Sequence, residues 1–568
     1  MFTALGDLLI RFADSPRSKW LVAAGICCIY LACLFLLPAR PVFWSPDEGG
    51  KYLTLSQIMI SGPWSAPLPY LAATLDRDLE HVPQLYWLRQ DHTIYSWWSA
   101  WFPAVSIVPY SLFGVQGLNV LPLLSSLIAS FAVYTSVLSA SRRLALGAMV
   151  VTAMASPFWF YGLTFWEHTL QALLVLLGTA AAIRACITGQ IRWYAASGIL
   201  IGFAFYFRLE TVIFLGAVGL TCTIWASLRL RERREAMPVI RGLIVLCLCF
   251  LATLGPFLWH NTTQEGYPLG RRNALDASRT VARVLTYGRQ SGLEILPDFL
   301  VGSIGHQGVD LKSPLRWMFV LASIGCALSR RLLYSGLELF AYLSIVTLTA
   351  LCGLVLLTPG YRSVHGLILI APYVAFVGWS WHAAGSRETS LWGIAASATM
   401  FAFLIATAIG GWQAQGGLQW GMRYALPLFA LLIVATTRGA QSVLTDAALS
   451  ASMKRILLGS MVILALLGAA FQFRGVRELA ADRWKYVSWE QRLSSLQQDS
   501  LIVTEHNWLA LTLPEVYETR AMLWTGAKGF STDWRQQAYQ LGFRQICQAQ
   551  VVYDDLQTQC LDLGITAP

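Results

Sequence analysis

Residues 20–38, WLVAAGICCIYLACLFLLP, carry no charge, and residues 43–60, FWSPDEGGKYLTLSQIMI, follow almost at once. The first stretch is long enough to cross a bilayer as one helix. Arg11, Arg17 and Lys19 precede it and no small-residue cleavage site follows, so it reads as a retained span. The second stretch opens with a helix start. Ser45 is a suitable N-cap, Pro46 a suitable first helical residue, and Glu48 the far corner of a capping box. Behind them Tyr52, Leu55, Ile58 and Met59 recur at helical spacing, which predicts a helix lying flat on the membrane surface. Two adjacent carboxylates, Asp47 and Glu48, therefore stand just outside an apolar span.

The apolar pattern repeats along the chain. Of 568 residues 56% are hydrophobic and only 13% charged, with 23 Trp, which is too apolar for a soluble protein of this size. Candidate spans fall at about 20–38, 116–140, 144–162, 168–187, 193–208, 211–228, 241–259, 314–329, 333–357, 366–382, 390–410, 424–437 and 455–473. The expected fold class is thus an all-α polytopic membrane protein with about 13 transmembrane helices. Its transmembrane domain is 1–474, with outer loops at 39–115 and 260–313. The tail, 475–568, reads as a small α/β domain outside the membrane. There SLIVTEHNWLALTLP (500–514) suggests a strand then a helix, and DWRQQAYQLGFRQI (533–546) another helix.

Thirteen spans starting from an inside N-terminus leave the C-terminus outside. The inside segments are then 1–19, 141–143, 184–192, 229–241, 330–331, 383–389 and 438–455, and every one carries Arg or Lys, most densely RLRERRE at 229–235. That agrees with the positive-inside rule. Topology accounts for most of the net charge of +10, so no nucleic-acid partner is expected. Nine of the eleven cysteines lie in or near spans as packing residues. Cys547 and Cys560 lie in the tail, where a disulfide and a pair of free thiols both remain open.

Charged groups on the outer side need a reason, because that belt is mostly aromatic and neutral. Asp47 and Glu48 follow the first span, with Lys51 close behind. FWEHTLQ puts Glu167 and His168 at one outer turn, and FRLETV puts Arg208 and Glu210 at another. His260 follows the seventh span, TPGYRSVHG brings Arg362 and His365, and GGLQWGMRYALP brings Arg423 and Tyr424. Topology turns all of them the same way, so one outer cavity is expected to collect them. Carboxylates with arginines suit a lipid-linked anionic substrate, since the planar Arg fork matches phosphate. A carboxylate at a helix N-terminus, where negative charge is favoured, suits a general base. Arg271, Arg272, Arg279, Arg283 and Arg289 share their loop with Glu265, Asp276 and Glu294, and read as a paired surface. Trp97, Trp98 and Trp101 read as interfacial anchors.

SPDEGGKYL after a first span resembles the acidic motif of the C-type superfamily of integral-membrane glycosyltransferases (GT-C). FRLETVIF is similar to the Arg-x-Glu turn of its bacterial members. HNTTQEGYPLGRR and GGLQWGMRYALPL are similar to stretches of many bacterial ones. The resemblance covers roughly residues 20–440 and is nearest to the protein O-mannosyltransferases and lipid A aminoarabinose transferases. It implies an inverting transferase of the bacterial inner membrane, with a cytoplasmic N-terminus and a periplasmic C-terminus and active site. A polyprenyl-phosphate sugar would be the donor, and a cell-envelope glycan, lipid or protein the acceptor through its hydroxyl or amine.

By the same resemblance Asp47 would be the general base, with Glu48 orienting the acceptor or its surroundings. Arg423, with Arg208 and Arg362, would hold the donor phosphate. Tyr424, Lys51, Glu210, His260 and His365 complete the expected substrate-binding set. Glu167 and His168 stand where related oligosaccharyltransferases have a metal-binding acidic motif, though a Glu-His pair departs from it. Oxygen and nitrogen ligands suit Mn²⁺ or Mg²⁺, but no spacing here demands either, so no cofactor is assigned. The rival reading is a transporter or flippase of a lipid-linked saccharide. It would call for inverted repeats and charges near the bilayer midplane, and the sequence shows neither.

Overall fold

The structure, a computed structural model, describes residues 13–568 except 63–66, 84–85, 89–93, 97, 233–234, 271–296, 298, 302–303, 306–312, 359–362, 365, 383–385, 411–419, 527–531, 553 and 564–568. The chain divides into two compact units. The first is Met1–Cys33, Pro122–Leu163 and Glu167–Val476; the second is Leu34–Leu121, Thr164–Trp166 and Arg477–Pro568.

Among the described residues nine helices are long and apolar enough to cross a membrane: Ser18–Leu36, Ile107–Leu138, His168–Thr188, Thr211–Arg231, Met237–Glu265, Glu338–Leu357, Arg387–Ala406, Arg423–Leu444 and Ala451–Ser494. Each corresponds to one of the expected spans, and the chain is a multi-pass membrane protein. Burial sorts them. Arg423–Leu444 is 89% buried, so it is a central helix of the first unit, whereas Ser18–Leu36 is 17% buried and turns most of its surface outward.

Four expected spans take other forms. The 144–162 segment ends its helix at Met154, and Phe158–Tyr161 resumes after Pro157, which cannot continue a helical ladder. The 193–208 span is the helix Ile191–Phe207, apolar but only 17 residues long. The 314–329 span is the helix Ser313–Tyr334, whose arginines 316, 330 and 331 interrupt its apolar run. The 366–382 span becomes a short helix, Leu367–Ile370, followed by a 3-10 helix, Pro372–His382. Pro372 removes a donor and disfavours helical geometry before it. Irregular backbone of this kind is tolerated at membrane depth when protein covers it. Here the Trp379 indole donates to Ser329 Oγ at 2.9 Å, and a Cβ on Gly378 would come within 2.2 Å of the Ala327 carbonyl oxygen.

Two ion pairs of this first unit sit near helix ends. Arg438 is bonded to Glu388, Ser139 Oγ and the Ser136 carbonyl. Arg330 pairs with Asp446 at 2.6 Å and donates to Ser442 Oγ. All four charged residues belong to, or adjoin, segments whose basic residues marked them as inside.

In the second unit the tail forms a four-stranded sheet in the order Met522–Trp524, Ser500–Thr504, Gln545–Val552, Asp555–Asp562. The first three are parallel and the last pairs antiparallel. Parallel neighbours need crossovers, and the helices Leu509–Thr512, Pro514–Thr519 and Thr532–Gln540 supply them. This bears out the expected α/β tail. Cys547 and Cys560 face each other across the antiparallel pair and are joined by a disulfide.

The helix Pro46–Ser61 departs from the expected surface position. Only its end is exposed, at Met59, Ile60 and Ser61, while ten of its residues are buried. Its Leu53 enters one core with Val42, Leu68, Trp98, Trp489, Ile502 and Leu511. The pattern at 52, 55 and 58 was an inward face, with protein rather than lipid as its partner. Gly49 and Gly50 allow the approach. A Cβ on Gly49 would lie 1.5 Å from the Leu511 carbonyl oxygen, and one on Gly50 would lie 2.1 Å from the Trp98 ring. Gly49→Ala should therefore lower the melting temperature of the detergent-solubilised protein, with an overpacking cost of about 3 kcal/mol. Gly147→Ala, at a helical site with open space around it, should leave the melting temperature level or raise it, by roughly 0.5–1 kcal/mol of helix preference.

Candidate active site

Three turns of the first unit converge on one charged cluster, and each of its members stands at the end of a helix. Glu167 is the N-cap of His168–Thr188, and Glu210 the N-cap of Thr211–Arg231. Arg208 is the C-cap of Ile191–Phe207, and Arg423 opens the 3-10 turn Arg423–Ala425. Acids at N-termini and a base at a C-terminus complement the helix dipoles, by about 0.3–1 kcal/mol each. The sequence thus places Glu167, Glu210 and Arg208 where their own helices favour them, while Arg423 stands at a helix N-terminus, where a cation is not favoured by the dipole.

The cluster then pairs internally. Arg208 Nη1 donates to Glu167 Oε1 at 2.9 Å, while its Nε and Nη2 grip the carboxylate of Glu210. The guanidinium carbon of Arg208 lies 4.8 Å from the centre of the Tyr424 ring, and that of Arg423 lies 4.9 Å from the same centre. Arg423 Nη2 also donates to the Tyr424 hydroxyl at 3.0 Å. Two cations facing one aromatic ring add about 0.5–2 kcal/mol apiece. His168 lies against Tyr424, and Tyr161 against His168. The Trp420 backbone N–H donates to the Tyr161 hydroxyl at 3.1 Å. Gly421, at φ 78°, swings the chain from Trp420 toward Arg423, a conformation that glycine adopts without strain.

In the second unit, Asp47 and Glu48 divide their work. Glu48 is buried and both its oxygens are taken: Oε2 accepts the Ser45 N–H at 3.0 Å, and Oε1 the Phe165 N–H at 2.9 Å. The first bond is the expected reach of a capping box. Burial pushes the Glu48 carboxyl up, against the opposing pull of Arg483, the two N–H donors and Lys51. Asp47 is half-buried, with Oδ1 accepting the Trp98 indole N–H at 3.2 Å. Of the two acids, Asp47 is the one a substrate can reach. Lys51 is buried with its ammonium 5.8 Å from the centre of the Trp166 ring.

Several expectations are thereby placed. Glu167, His168, Arg208, Glu210, Arg423 and Tyr424 come together. His260 lies half-buried on Met237–Glu265, which extends past the expected span end. Arg362, His365, Trp97 and the arginines at 271, 272, 279, 283 and 289 lie outside the described residues. Trp98 is buried as a partner of Asp47, not an interfacial anchor. The Glu167–His168 pair does not fit a metal centre. A guanidinium already neutralises the Glu167 carboxylate, and no group of three or more His, Cys, Asp or Glu among the described residues is arranged to hold an ion.

Arg483 is a residue the sequence reading missed. Its Nε donates to the Val42 carbonyl at 2.9 Å, fixing the approach to Pro46–Ser61. The only signal was an arginine past the end of an apolar run, which does not show where the side chain turns. Tyr161 and Trp420, hidden among many apolar aromatics, were missed for a similar reason.

No protein-family model matches the sequence, and no curated protein does. Among solved structures the chain is similar to an Archaeoglobus fulgidus oligosaccharyltransferase in the apo form, at 12% identity and TM-score 0.48, over 94% of this chain and 70% of that one. It is also similar to AglB from the same organism in complex with an inhibitory peptide and a dolichol-phosphate, at 11% identity and TM-score 0.47, over 94% and 70%. A third is ArnT from Cupriavidus metallidurans bound to undecaprenyl phosphate, at 12% identity and TM-score 0.46, over 98% and 100%. At such identities none of them carries a function over to this chain.

The charge pairing has a direct consequence. Arg208→Ala strands two buried carboxylates and should cost about 3–5 kcal/mol in unfolding experiments. Glu167→Gln, which leaves the Glu210 grip in place, should cost clearly less.

Proposed function

We propose that this chain is an inverting glycosyltransferase that moves a sugar from a polyprenyl-phosphate donor to an acceptor hydroxyl or amine. The observation that carries the reading is the cluster around Tyr424. Ionisable side chains in a membrane protein are costly and mark substrate sites, and here two arginines face one tyrosine at the ends of apolar helices. The short acidic, Arg-x-Glu and WG-x-RY motifs at 45–53, 208–210 and 420–424 support it.

In this reading Arg423 binds the donor phosphate through fork geometry, Arg208, whose fork is held by Glu167 and Glu210, assists from the other contact with the Tyr424 ring, and Arg362 is assigned phosphate binding from its motif. Tyr424, Glu210, Lys51, His260 and His365 shape the substrate sites. Asp47 is the general base and Glu48 its positioning residue, holding the helix start through Ser45 and Phe165. The acceptor O–H or N–H gives its proton to Asp47 as the acceptor atom bonds to C1 of the sugar. The bond from C1 to the phosphate oxygen breaks with its electron pair, and polyprenyl phosphate leaves. Attack opposite to the leaving group inverts the configuration at C1. The arginines offset the charge that develops on the departing phosphate. No step uses a metal ion.

The site is proposed to face the periplasm of a bacterial inner membrane, with a cytoplasmic N-terminus and the disulfide-bonded tail outside. Cys547–Cys560 supports that placement, because disulfides persist in oxidising compartments. The acceptor is proposed to be a cell-envelope glycan, lipid or protein.

The test is transfer of radiolabelled sugar from polyprenyl phosphate by the purified full chain. Asp47→Asn should lower turnover by about 10²–10⁴-fold with donor binding retained. Undiminished turnover would remove Asp47 as base. Movement of labelled lipid-sugar across proteoliposomes without any transfer product would favour the transporter reading instead.

A further inference from the structure

We propose that the helix Ser18–Leu36 and its neighbours form a binding site for one anionic bilayer phospholipid, separate from the charged cluster around Tyr424. A groove of about 320 Å³ is lined by Trp20, Ala23, Ala24, Cys27, Leu127 and Met149 among others. It exists because Ala23 and Ala24 are too small to fill the space beside Val120–Leu138 and Arg142–Met154. Its lining is almost wholly apolar. The hydroxyl of Ser130, which also lines it, is bonded to the Ser126 carbonyl at 2.8 Å. Such a surface takes a hydrocarbon chain.

The rim identifies which lipid. Arg142 Nη1 donates to the Asp14 carbonyl at 2.6 Å, and Arg143 binds both Asp14 carboxylate oxygens at 3.0 and 2.6 Å. These bonds bring the start of Arg142–Met154 beside the residues that lead into Ser18–Leu36. Arg17, Lys19, Arg142 and Arg143 are thus gathered at one end of the groove's helices, with the Asp14 carboxylate taken by Arg143 and that of Glu388 paired with Arg438. Arg17 and Arg142 are exposed. The Lys19 ammonium lies 5.2 Å from the Trp20 ring centre, and Trp20 stacks on Phe131 at 5.4 Å, which fixes the mouth. A surplus of cations above an apolar groove complements a negative headgroup carrying an acyl chain, and basic pockets between transmembrane helices recognise such headgroups. A zwitterionic lipid would fill the groove but leave the surplus charge unanswered.

The test uses the full chain in neutral detergent, with lipid retention read by native mass spectrometry. Dioleoyl phosphatidylglycerol is the probe and dioleoyl phosphatidylcholine the comparison. The glycerol lipid should bind about tenfold tighter or more. Arg17→Gln, Lys19→Gln and Arg142→Gln combined should reduce it to the level of the choline lipid. Ala24→Phe, which fills the groove and leaves every charge, should also weaken phosphatidylglycerol by about tenfold. Equal binding of the two lipids overturns the proposal. So does full phosphatidylglycerol binding by folded Ala24→Phe, which would mean that surface charge alone holds the headgroup. If Ala24→Phe does not fold, Ala23→Leu fills the same groove with less bulk and is read in the same way. None of these residues belongs to the proposed transfer site, so the outcome is independent of that reading.

Discussion

A guanidinium held between two carboxylates is the interaction on which the first unit's site depends. Arg208 ties the turn at Glu167 to the turn at Glu210 and lies over Tyr424, which joins the last motif to both. In apolar surroundings one unmatched charge costs several kcal/mol, so these turns cannot drift apart without exposing one. Each of these three charges also sits at the helix end whose dipole favours it. Local helix electrostatics and long-range pairing therefore demand the same arrangement, and that agreement gives a single geometry.

The second unit solves a different problem with the opposite economy of charge. Glu48 is an acid withdrawn from chemistry: buried, bonded by two backbone N–H groups and shifted upward by burial. Its neighbour Asp47 keeps partial exposure and one indole donor. The glycines that follow let the helix press against Leu511 and Trp98, so one four-residue string fixes a reachable carboxylate on a rigid support. The cap and the chemistry proposed for this string use the same residues.

Much of this was legible in the sequence because it rests on local rules. Apolar runs of full span length announced nine of the membrane helices, and the Arg-x-Glu and Trp-Gly-x-Arg-Tyr strings announced residues that meet. The helix start at Ser45–Glu48 followed from capping chemistry alone. What stayed hidden required knowing the partner. The apolar face of Pro46–Ser61 has the same periodicity whether lipid or protein covers it, and only the core with Trp489 and Leu511 decides. The 366–382 run is apolar enough for a span, yet Pro372 and the packing around Gly378 make it a 3-10 segment. Arg483 gave no sign that its guanidinium would reach back to Val42.

The central claim is that the arginines around Tyr424 read a lipid phosphate. Its most direct measure is the affinity of polyprenyl monophosphate, dispersed in detergent, for the wild-type chain and for Arg423→Gln. That variant leaves the Arg208 pairings with Glu167 and Glu210 untouched. The account predicts a loss of about tenfold or more in affinity, the cost of a charge-assisted phosphate contact. Equal affinity of the folded variant would contradict it.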